Sequence, residues 1–206
     1  PPLAKDITAK TLEVWVQLDS LDQRSGGAFT LETLGGETFD SIVFAEQEPR
    51  RWMAGSNFFR RTKSVGGDEE RTAKDGPLHV AIVYAADGQI TVYRDGKPYG
   101  KPYTPGEVVK YAAGQSHIVF GLRHSPAAAA KHLSGRLQRA QLHDRALSAE
   151  EVAASASGTN NFVAPAEVLA ALPAAERAVV EKYDARIQAL EKEIRQLDLP
   201  AEWQAN

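Results

Sequence analysis

A fifteen-residue segment, Glu48–Thr62, concentrates the side chains that are best suited to bind a ligand. It holds four arginines and three large aromatic residues, namely Arg50, Arg51, Trp52, Phe58, Phe59, Arg60 and Arg61. Aromatic faces stack on sugar rings, and arginine forks bind carboxylate or sulfate groups through two hydrogen bonds. On a loop between strands, this cluster predicts a site for an acidic or sulfated glycan. The alternative is that Trp52 and one phenylalanine anchor the core, while the arginines are solvated strand ends.

A second candidate group lies in the loop Gly121–Pro126, which leaves a predicted strand. Its Arg123 and His124 would extend the same pocket if the two loops meet at one rim or face of the fold. The alternative is a surface arginine and an ordinary histidine. The predicted ligand-binding residues are therefore Arg50, Arg51, Trp52, Phe58, Arg60, Arg61, Arg123 and His124.

Catalytic and transition-metal sites find little support in the sequence. The chain has no cysteine, which excludes disulfides, thiolate metal sites and thiol catalysis. Its five histidines show no spacing typical of zinc ligands. There is no Glu-x-Asp-x-x-Glu strand motif, no serine elbow and no phosphate loop. The acidic run Asp68-Glu69-Glu70 follows a double glycine and is predicted to be solvated, so we predict that this chain is not an enzyme.

Alternating apolar residues and turn signals predict the scaffold that positions these side chains. The stretch His79–Gly100 contains two strands joined at Asp87-Gly88 and a second reversal at Asp95-Gly96, because both positions of such turns favour positive φ. Further strands are predicted at Thr11–Leu18, Ala28–Thr33, Phe39–Ala45, Phe58–Thr62, Pro102–Thr104, Val108–Tyr111, His117–Arg123 and Leu133–His143. Many short strands with turns between them are typical of a sandwich or jelly roll. We therefore predict an all-β, two-sheet antiparallel jelly-roll sandwich over residues 1–157.

The pattern changes to helical after Leu147. Ser148 through Glu151 forms a capping box, which predicts a short helix near 148–154. Residues 158–206 are predicted to be a linker and a helical extension, with short helix Val163–Leu172 and an amphipathic heptad helix near 173–198. The heptad seam consists of Val180, Tyr183, Ile187, Leu190, Ile194 and Leu197. Three roles stay open for this helix: packing on its own domain or on a following helix, self-association, and a stalk to another domain.

Composition narrows the classes of partner. The chain has 206 residues, 43% hydrophobic and 25% charged, which suits one globular domain with an appendage. Its formal net charge of −3 argues against a nucleic-acid partner. The chain contains no run of 18 apolar residues, so no membrane span is predicted. No signal peptide is visible. The opening Pro1-Pro2 leads us to expect a fragment of a longer protein.

Four segments carry a resemblance to a known family. They are TLEVWVQLDS, HVAIVYAADGQITVYRDGKPYG, IVFGLR and LSGRLQRAQLHDRALSAEEVAAS, in that order along the chain. The last segment includes Ser134-Gly135-Arg136-Leu137 and the run from His143 to Glu151. Together they resemble laminin-G-like domains of the concanavalin A-like lectin/glucanase superfamily over about Thr8–Ser155. The segment Glu48–Thr62 resembles in particular a module found in large exported bacterial proteins that also carry a cytochrome c-like domain.

The resemblance implies a binding role in an extracytoplasmic setting, periplasmic or at the cell surface. We expect a non-catalytic carbohydrate-binding module that tethers a larger protein to a polysaccharide and contacts neighbouring domains. The alternative is a protein-interaction or intramolecular scaffold module that uses the C-terminal helix. The family also implies that calcium is a candidate ligand, with Asp19, Asp22, Glu32 and Asp40 near the expected strands. His79 lies in a strand where the family often has His or Trp, and it is predicted to be structural.

Overall fold

The computed structural model describes residues 2–128, 131–158 and 169–196. In chain order, its elements are β1 (Lys10–Leu18), β2 (Gly26–Thr33), β3 (Phe39–Phe44), β4 (Trp52–Ser56), β5 (Leu78–Tyr84), β6 (Ile90–Arg94), β7 (Lys97–Pro98), β8 (Ser116–Phe120), β9 (Gly135–His143), α1 (Ala149–Ala156) and α2 (Ala174–Gln196). The chain divides into two units, Pro1–Thr159 and Asn160–Asn206. All nine of these strands lie in the first unit, and α2 lies in the second.

Two antiparallel sheets face each other in the first unit, as the alternating pattern predicts. One sheet has five strands in the order β7-β6-β5-β1-β9, and the other has four in the order β4-β3-β2-β8. In β1, Leu12, Val14, Val16 and Leu18 are buried because every second side chain of a strand points to the same face. They share one apolar core with residues of the opposite sheet, including Phe29, Leu31, Ile42, Phe44 and Trp52. The predicted two-sheet sandwich is therefore confirmed.

The two predicted reversals are both present, but they differ in geometry. At the second one, Asp95 (φ 49°) and Gly96 (φ 74°) both adopt left-handed backbone, as a tight two-residue hairpin turn requires. At the first one, only Gly88 has positive φ (85°), because a wider loop from Ala85 to Gln89 joins β5 to β6. Asp87 instead caps the loop, since its carboxylate accepts the backbone N–H of Gln89 at 3.0 Å.

Part of the outer face of the five-stranded sheet is covered by α1. Val152 of this helix is buried against Ala81, Val83 and Tyr93 of the sheet. The predicted capping box is present, because Ser148 Oγ accepts the backbone N–H of Glu151 while the Glu151 carboxylate accepts that of Ser148. The helix thus begins where the sequence predicts and shields this apolar patch of the sheet from solvent.

A buried carboxylate organises the same face. The carboxylate oxygens of Glu13, in β1, lie 3.0 Å from His79 Nε2 and 2.8 Å from His143 Nε2. The hydroxyl of Ser155, in α1, donates to the same carboxylate at 3.1 Å. Burial would raise the pKa of Glu13, but the bonds from His143 and His79 outweigh it and lower the pKa to about 2. Because His79 is buried and serves this carboxylate, the prediction that it is structural is confirmed.

Three strand predictions are wrong. The stretch predicted as a strand at Phe58–Thr62 is instead a short 3-10 helix, Asn57–Phe59, followed by a turn. Its neighbour β4 was not predicted, because Trp52 was assigned to a ligand-binding loop. Pro102–Thr104 and Val108–Tyr111 contribute only isolated bridges: Tyr103 pairs with Ile90 of β6, and Tyr111 pairs with Ile7, which precedes β1. The three prolines and two glycines of residues 98–106 interrupt the regular ladder there.

The second unit contains the predicted heptad helix, which spans Ala174–Gln196. Leu197 of the seam and most of the predicted helix Val163–Leu172 lie outside the described residues. None of the described helices is both long and apolar enough to cross a membrane.

Candidate functional site

The segment Glu48–Thr62 does not form one cluster, because β4 runs through its middle. Arg50 and Arg51 precede the strand, whereas Phe58 and Arg60 follow it. A strand of five residues spans about 17 Å at about 3.3 Å per residue. The predicted residues are therefore split between the two ends of an edge strand.

The assignment of Trp52 to a ligand surface is wrong. Its side chain is fully buried in the core, where its ring packs at 4.9 Å from that of Phe44. Its indole N–H donates to Glu70 Oε2 at 3.1 Å. The alternative interpretation of Trp52 as a core anchor therefore holds.

The assignment of Arg61 to a ligand surface is also wrong. Its guanidinium is buried and donates to Asp40 Oδ1 at 2.9 Å and to the carbonyl of Phe39 at 2.9 Å. It also donates to Glu107 Oε2 and Asn57 Oδ1, each at 3.0 Å. Every branch of this arginine therefore serves the fold, so none is left for a ligand.

Arg123 and His124 lie over the outer face of the four-stranded sheet and not on a free loop. Arg123 donates to the buried carboxylate of Glu46 at 2.6 Å. The His124 ring stacks on Phe39 with centroids 4.4 Å apart and planes inclined by 15°. Burial lowers the pKa of His124, which favours a neutral ring on that aromatic face. Both predicted ligand residues thus have partners within the fold.

The predicted segment is exposed at Arg50 before β4 and at the turn Asn57–Arg60 after it, and we call this turn the aromatic turn. Phe58 is 84% exposed and Phe59 is 49% exposed. Both have left-handed backbone, with φ values of 51° and 56°, which is unusual for a large side chain. The Arg60 guanidinium lies 5.9 Å from the centroid of the Phe58 ring. Of the eight predicted residues, the structure brings Phe58 and Arg60 together at the surface.

A set of buried hydrogen bonds holds the aromatic turn in this conformation. Ser56 Oγ accepts the backbone N–H of Arg61 at 2.9 Å and lies 3.0 Å from Thr62 Oγ1. Tyr103 Oη donates to the carbonyl of Arg61 at 2.6 Å. Left-handed backbone at an ordinary residue costs of order 1–3 kcal/mol and persists where surrounding contacts over-determine it. The buried hydrogen bonds to Arg61 therefore hold the turn so that both phenylalanine side chains stay exposed.

The surroundings of the aromatic turn add positive charge. Arg60 and Lys63 are exposed, and Lys63 Nζ lies 5.9 Å from the centroid of the Tyr103 ring. The nearest carboxylate, Glu107, lies 4.0 Å from Arg60 but only 3.0 Å from buried Arg61, which it accompanies. Two exposed aromatic rings and two exposed cations thus occur within residues 58–63, a combination that suits a ring-shaped ligand with an acidic group.

A separate cleft of about 680 Å³ lies at the Arg51 end of β4. It is lined by Arg51, Asp68, Glu69, Glu70, Arg71, Thr72, Arg94 and Tyr99. The prediction that Asp68-Glu69-Glu70 is solvated is wrong for Glu70, which is buried. Its carboxylate accepts hydrogen bonds from Arg94 Nε at 2.7 Å and from Arg94 Nη2 at 3.0 Å. The cleft therefore has volume, but its main charges neutralise one another.

The buried state of Glu70 has a measurable consequence at acid pH. Burial would raise its pKa, but hydrogen bonds from Arg94, the Thr72 amide and Trp52 outweigh it and lower the pKa to about 2. A lowered pKa stabilises the fold above the unfolded value of 4.5, and this contribution is lost as the pH falls towards 2. The loss is at most about 3 kcal/mol for a shift of this size.

We expect Glu70→Gln to flatten the dependence of unfolding free energy on pH between 4.5 and 2. Urea unfolding at a series of pH values measures this slope. The matched control is Glu69→Gln, whose side chain is exposed one residue away, and it should keep the wild-type profile. Equal slopes in both variants would show that Glu70 does not carry the effect.

The acidic residues named for calcium do not meet. Their side chains have separate partners: Ser134 for Asp19, Arg50 for Asp22, His117 for Glu32, and Lys10 with Arg61 for Asp40. Among the residues that the structure describes, no group of three or more His, Asp or Glu side chains could hold a metal ion. Calcium binding is therefore suggested by the family resemblance and is not supported by the side-chain geometry of the described residues.

Comparison with known proteins identifies the class. A family model, Laminin_G_3, described as the concanavalin A-like lectin/glucanases superfamily, matches residues 3–153. The chain therefore belongs to this family, as its motifs predict. No curated protein sequence matches the chain. The association with a cytochrome c-like domain and an exported parent stays a prediction.

Several solved structures are similar to this chain. The CBM40 domain of the Ruminococcus gnavus IT-sialidase, bound to α2,3-sialyllactose, has a TM-score of 0.51 and 12% identity, covering 73% of this chain and 83% of that one. A SAP-like pentraxin from Limulus polyphemus has a TM-score of 0.48 and 16% identity, covering 75% and 72%. Trypanosoma rangeli sialidase has a TM-score of 0.46 and 19% identity, covering 70% of this chain. This chain spans only 22% of the length of that sialidase.

Proposed function

We propose that the first unit is a non-catalytic carbohydrate-binding module that contacts its glycan through the aromatic turn. The observation that carries the proposal is the exposure of Phe58. Its side chain is 84% exposed, and its left-handed backbone is held by buried hydrogen bonds beneath the turn. An apolar ring held out in this way gains nothing for folding, since it buries almost no surface. It is well placed to stack on a sugar ring, with Phe59 as a second face.

The charge beside the two rings favours an acidic glycan. Arg60 offers a planar fork that matches a carboxylate or sulfate, and Lys63 adds a second cation. The R. gnavus module, which shares the fold, is bound to an acidic sugar, α2,3-sialyllactose. We propose the same broad ligand class here, with an extracytoplasmic location and a tethering role for a larger protein.

The buried carboxylates support a non-catalytic role. Five acidic residues are buried among the described residues, and each pairs with a basic side chain: Glu13, Glu32, Asp40, Glu46 and Glu70. A retaining glycosidase needs two carboxyl groups about 5–5.5 Å apart that face the substrate as nucleophile and acid. These five instead pair with histidine, lysine or arginine side chains within the fold.

We expect Phe58→Ala and Arg60→Ala each to weaken binding of an acidic glycan about tenfold, a change of about 1.4 kcal/mol. The loss follows from removing a stacking face or a charged hydrogen-bond donor. A broad glycan array selects the ligand, and calorimetry then gives the dissociation constants. Thermal unfolding should show that both variants stay folded, because neither side chain is buried.

Matched controls separate the aromatic turn from the cleft. Arg51→Ala and Arg71→Ala remove arginines that line the cleft, and they should leave the affinity unchanged. Loss of binding in these two variants, with normal binding by Phe58→Ala, would move the site to the cleft. If the wild-type module binds no glycan on the array, the proposed function is wrong.

A further inference from the structure

We propose that α2 forms a parallel two-stranded coiled coil with the α2 helix of a second copy of this chain. Its apolar residues Val180, Tyr183, Ile187 and Leu190 follow the 3-4-3 spacing of a heptad seam. All four are between 37% and 62% exposed, although they are apolar. A helix of 23 residues is about 34 Å long and gains little stability unless such a stripe is covered.

The residue types along the seam favour two parallel strands. With Val180 at position a, Ile187 also falls at a, while Tyr183 and Leu190 fall at d. β-Branched residues at a with leucine at d favour parallel dimers over higher oligomers. A second copy of α2 is therefore the partner that best fits this stripe.

The charged positions that flank the seam favour the same orientation. In a parallel pair, position g of one helix faces position e of the next heptad on the other, which joins Arg186 to Glu191 of the second copy, twice by symmetry. In an antiparallel pair, e positions face each other, which would bring acidic Asp184 towards Glu191 of the second copy. Attraction between Arg186 and Glu193 would only offset that repulsion. Within the helix, the parallel arrangement thus has the better charge complementarity.

Dimerisation would give each particle two sandwich units. It would therefore present two aromatic turns and raise the retention on a repetitive polysaccharide by avidity, provided that both can engage. The dimer itself does not depend on the proposed function, because the apolar seam and its flanking charges lie in the second unit. A monomeric protein that binds glycan would contradict the dimer and leave the proposed function standing. A dimeric protein that binds no glycan would contradict the proposed function and leave the dimer standing.

Sedimentation equilibrium of the full 206-residue chain tests the proposal. We expect a wild-type dimer, and a monomer for Ile187→Asp. Arg186→Glu and Glu191→Arg should each raise the dimer dissociation constant at least fivefold, because like charges then face each other. The double variant should restore the wild-type constant. Lys182→Glu at position c, away from the seam, is the matched control and should stay dimeric. A wild-type monomer at all concentrations would overturn the proposal.

An introduced cysteine tests the orientation, since the chain has none of its own. Glu176→Cys lies at position d in the first turn of α2, where a parallel dimer brings both copies together and should form a disulfide on oxidation. Ala178→Cys at position f points away from the seam and should not. In an antiparallel dimer, the two copies of residue 176 would be on the order of 30 Å apart. A dimer without the residue-176 crosslink would therefore refute the parallel arrangement.

Discussion

Replacing Arg61 by methionine is expected to lower the free energy of unfolding by about 3–5 kcal/mol, because it leaves a buried carboxylate short of a partner. Asp40 lies between the two sheets and accepts Arg61 Nε at 2.9 Å, while Lys10 Nζ lies 2.9 Å from its other oxygen. Burial would raise the pKa of Asp40, but Lys10 and Arg61 outweigh it and hold the pKa below its usual range. Methionine keeps the volume of the side chain and removes the charge.

Arg60→Met provides the matched control for this prediction. Arg60 is the neighbouring residue of the same type, but its side chain is 60% exposed. Its replacement should change the free energy of unfolding by less than about 0.5 kcal/mol, as is usual for surface substitutions. Urea unfolding followed by circular dichroism compares the two. Similar small effects in both variants would mean that the buried Arg61–Asp40 ion pair does not stabilise the fold.

The contrast between these two arginines shows where sequence reasoning fails. Arg60 and Arg61 are adjacent and identical in type, so composition assigns them the same role. Their difference arises because Arg61 meets Asp40, which is 21 residues away in the chain, on the neighbouring strand β3. No local pattern encodes that contact. Trp52 was misassigned for the same reason, since its partner Glu70 lies 18 residues away in a loop with no regular structure.

Features with local signals were predicted well. The alternation in β1, the Asp95-Gly96 turn and the capping box at Ser148 each depend on residues within a few positions of one another. Such signals set the strand faces, the turn geometry and the helix start. They also explain why the fold class could be predicted, whereas the position of the site could not. The left-handed backbone of Phe58 and Phe59 has no sequence signal, because those residues rarely adopt it.

Trp52→Ala is expected to destabilise the sandwich by about 3–5 kcal/mol, the usual cost of removing a buried aromatic side chain. The loss combines a cavity beside Phe44 with the removal of one donor to buried Glu70. Urea unfolding measures it. Trp52→Phe is the informative companion, because it fills most of the volume and removes the indole N–H. It should cost roughly 1–3 kcal/mol, as expected when a buried polar group loses a partner.

The Trp52→Phe variant also tests whether a change in the core alters ligand binding at the surface. If Trp52 acts only from the core, the folded variant should bind the glycan selected on the array with wild-type affinity, since the aromatic turn is unchanged. Phe58→Ala should show the opposite pattern, with near wild-type stability and about tenfold weaker binding. Weaker binding by folded Trp52→Phe would instead mean that β4 transmits changes in the core to the surface. The pair of variants therefore measures separately what holds this sandwich together and what it presents to a ligand.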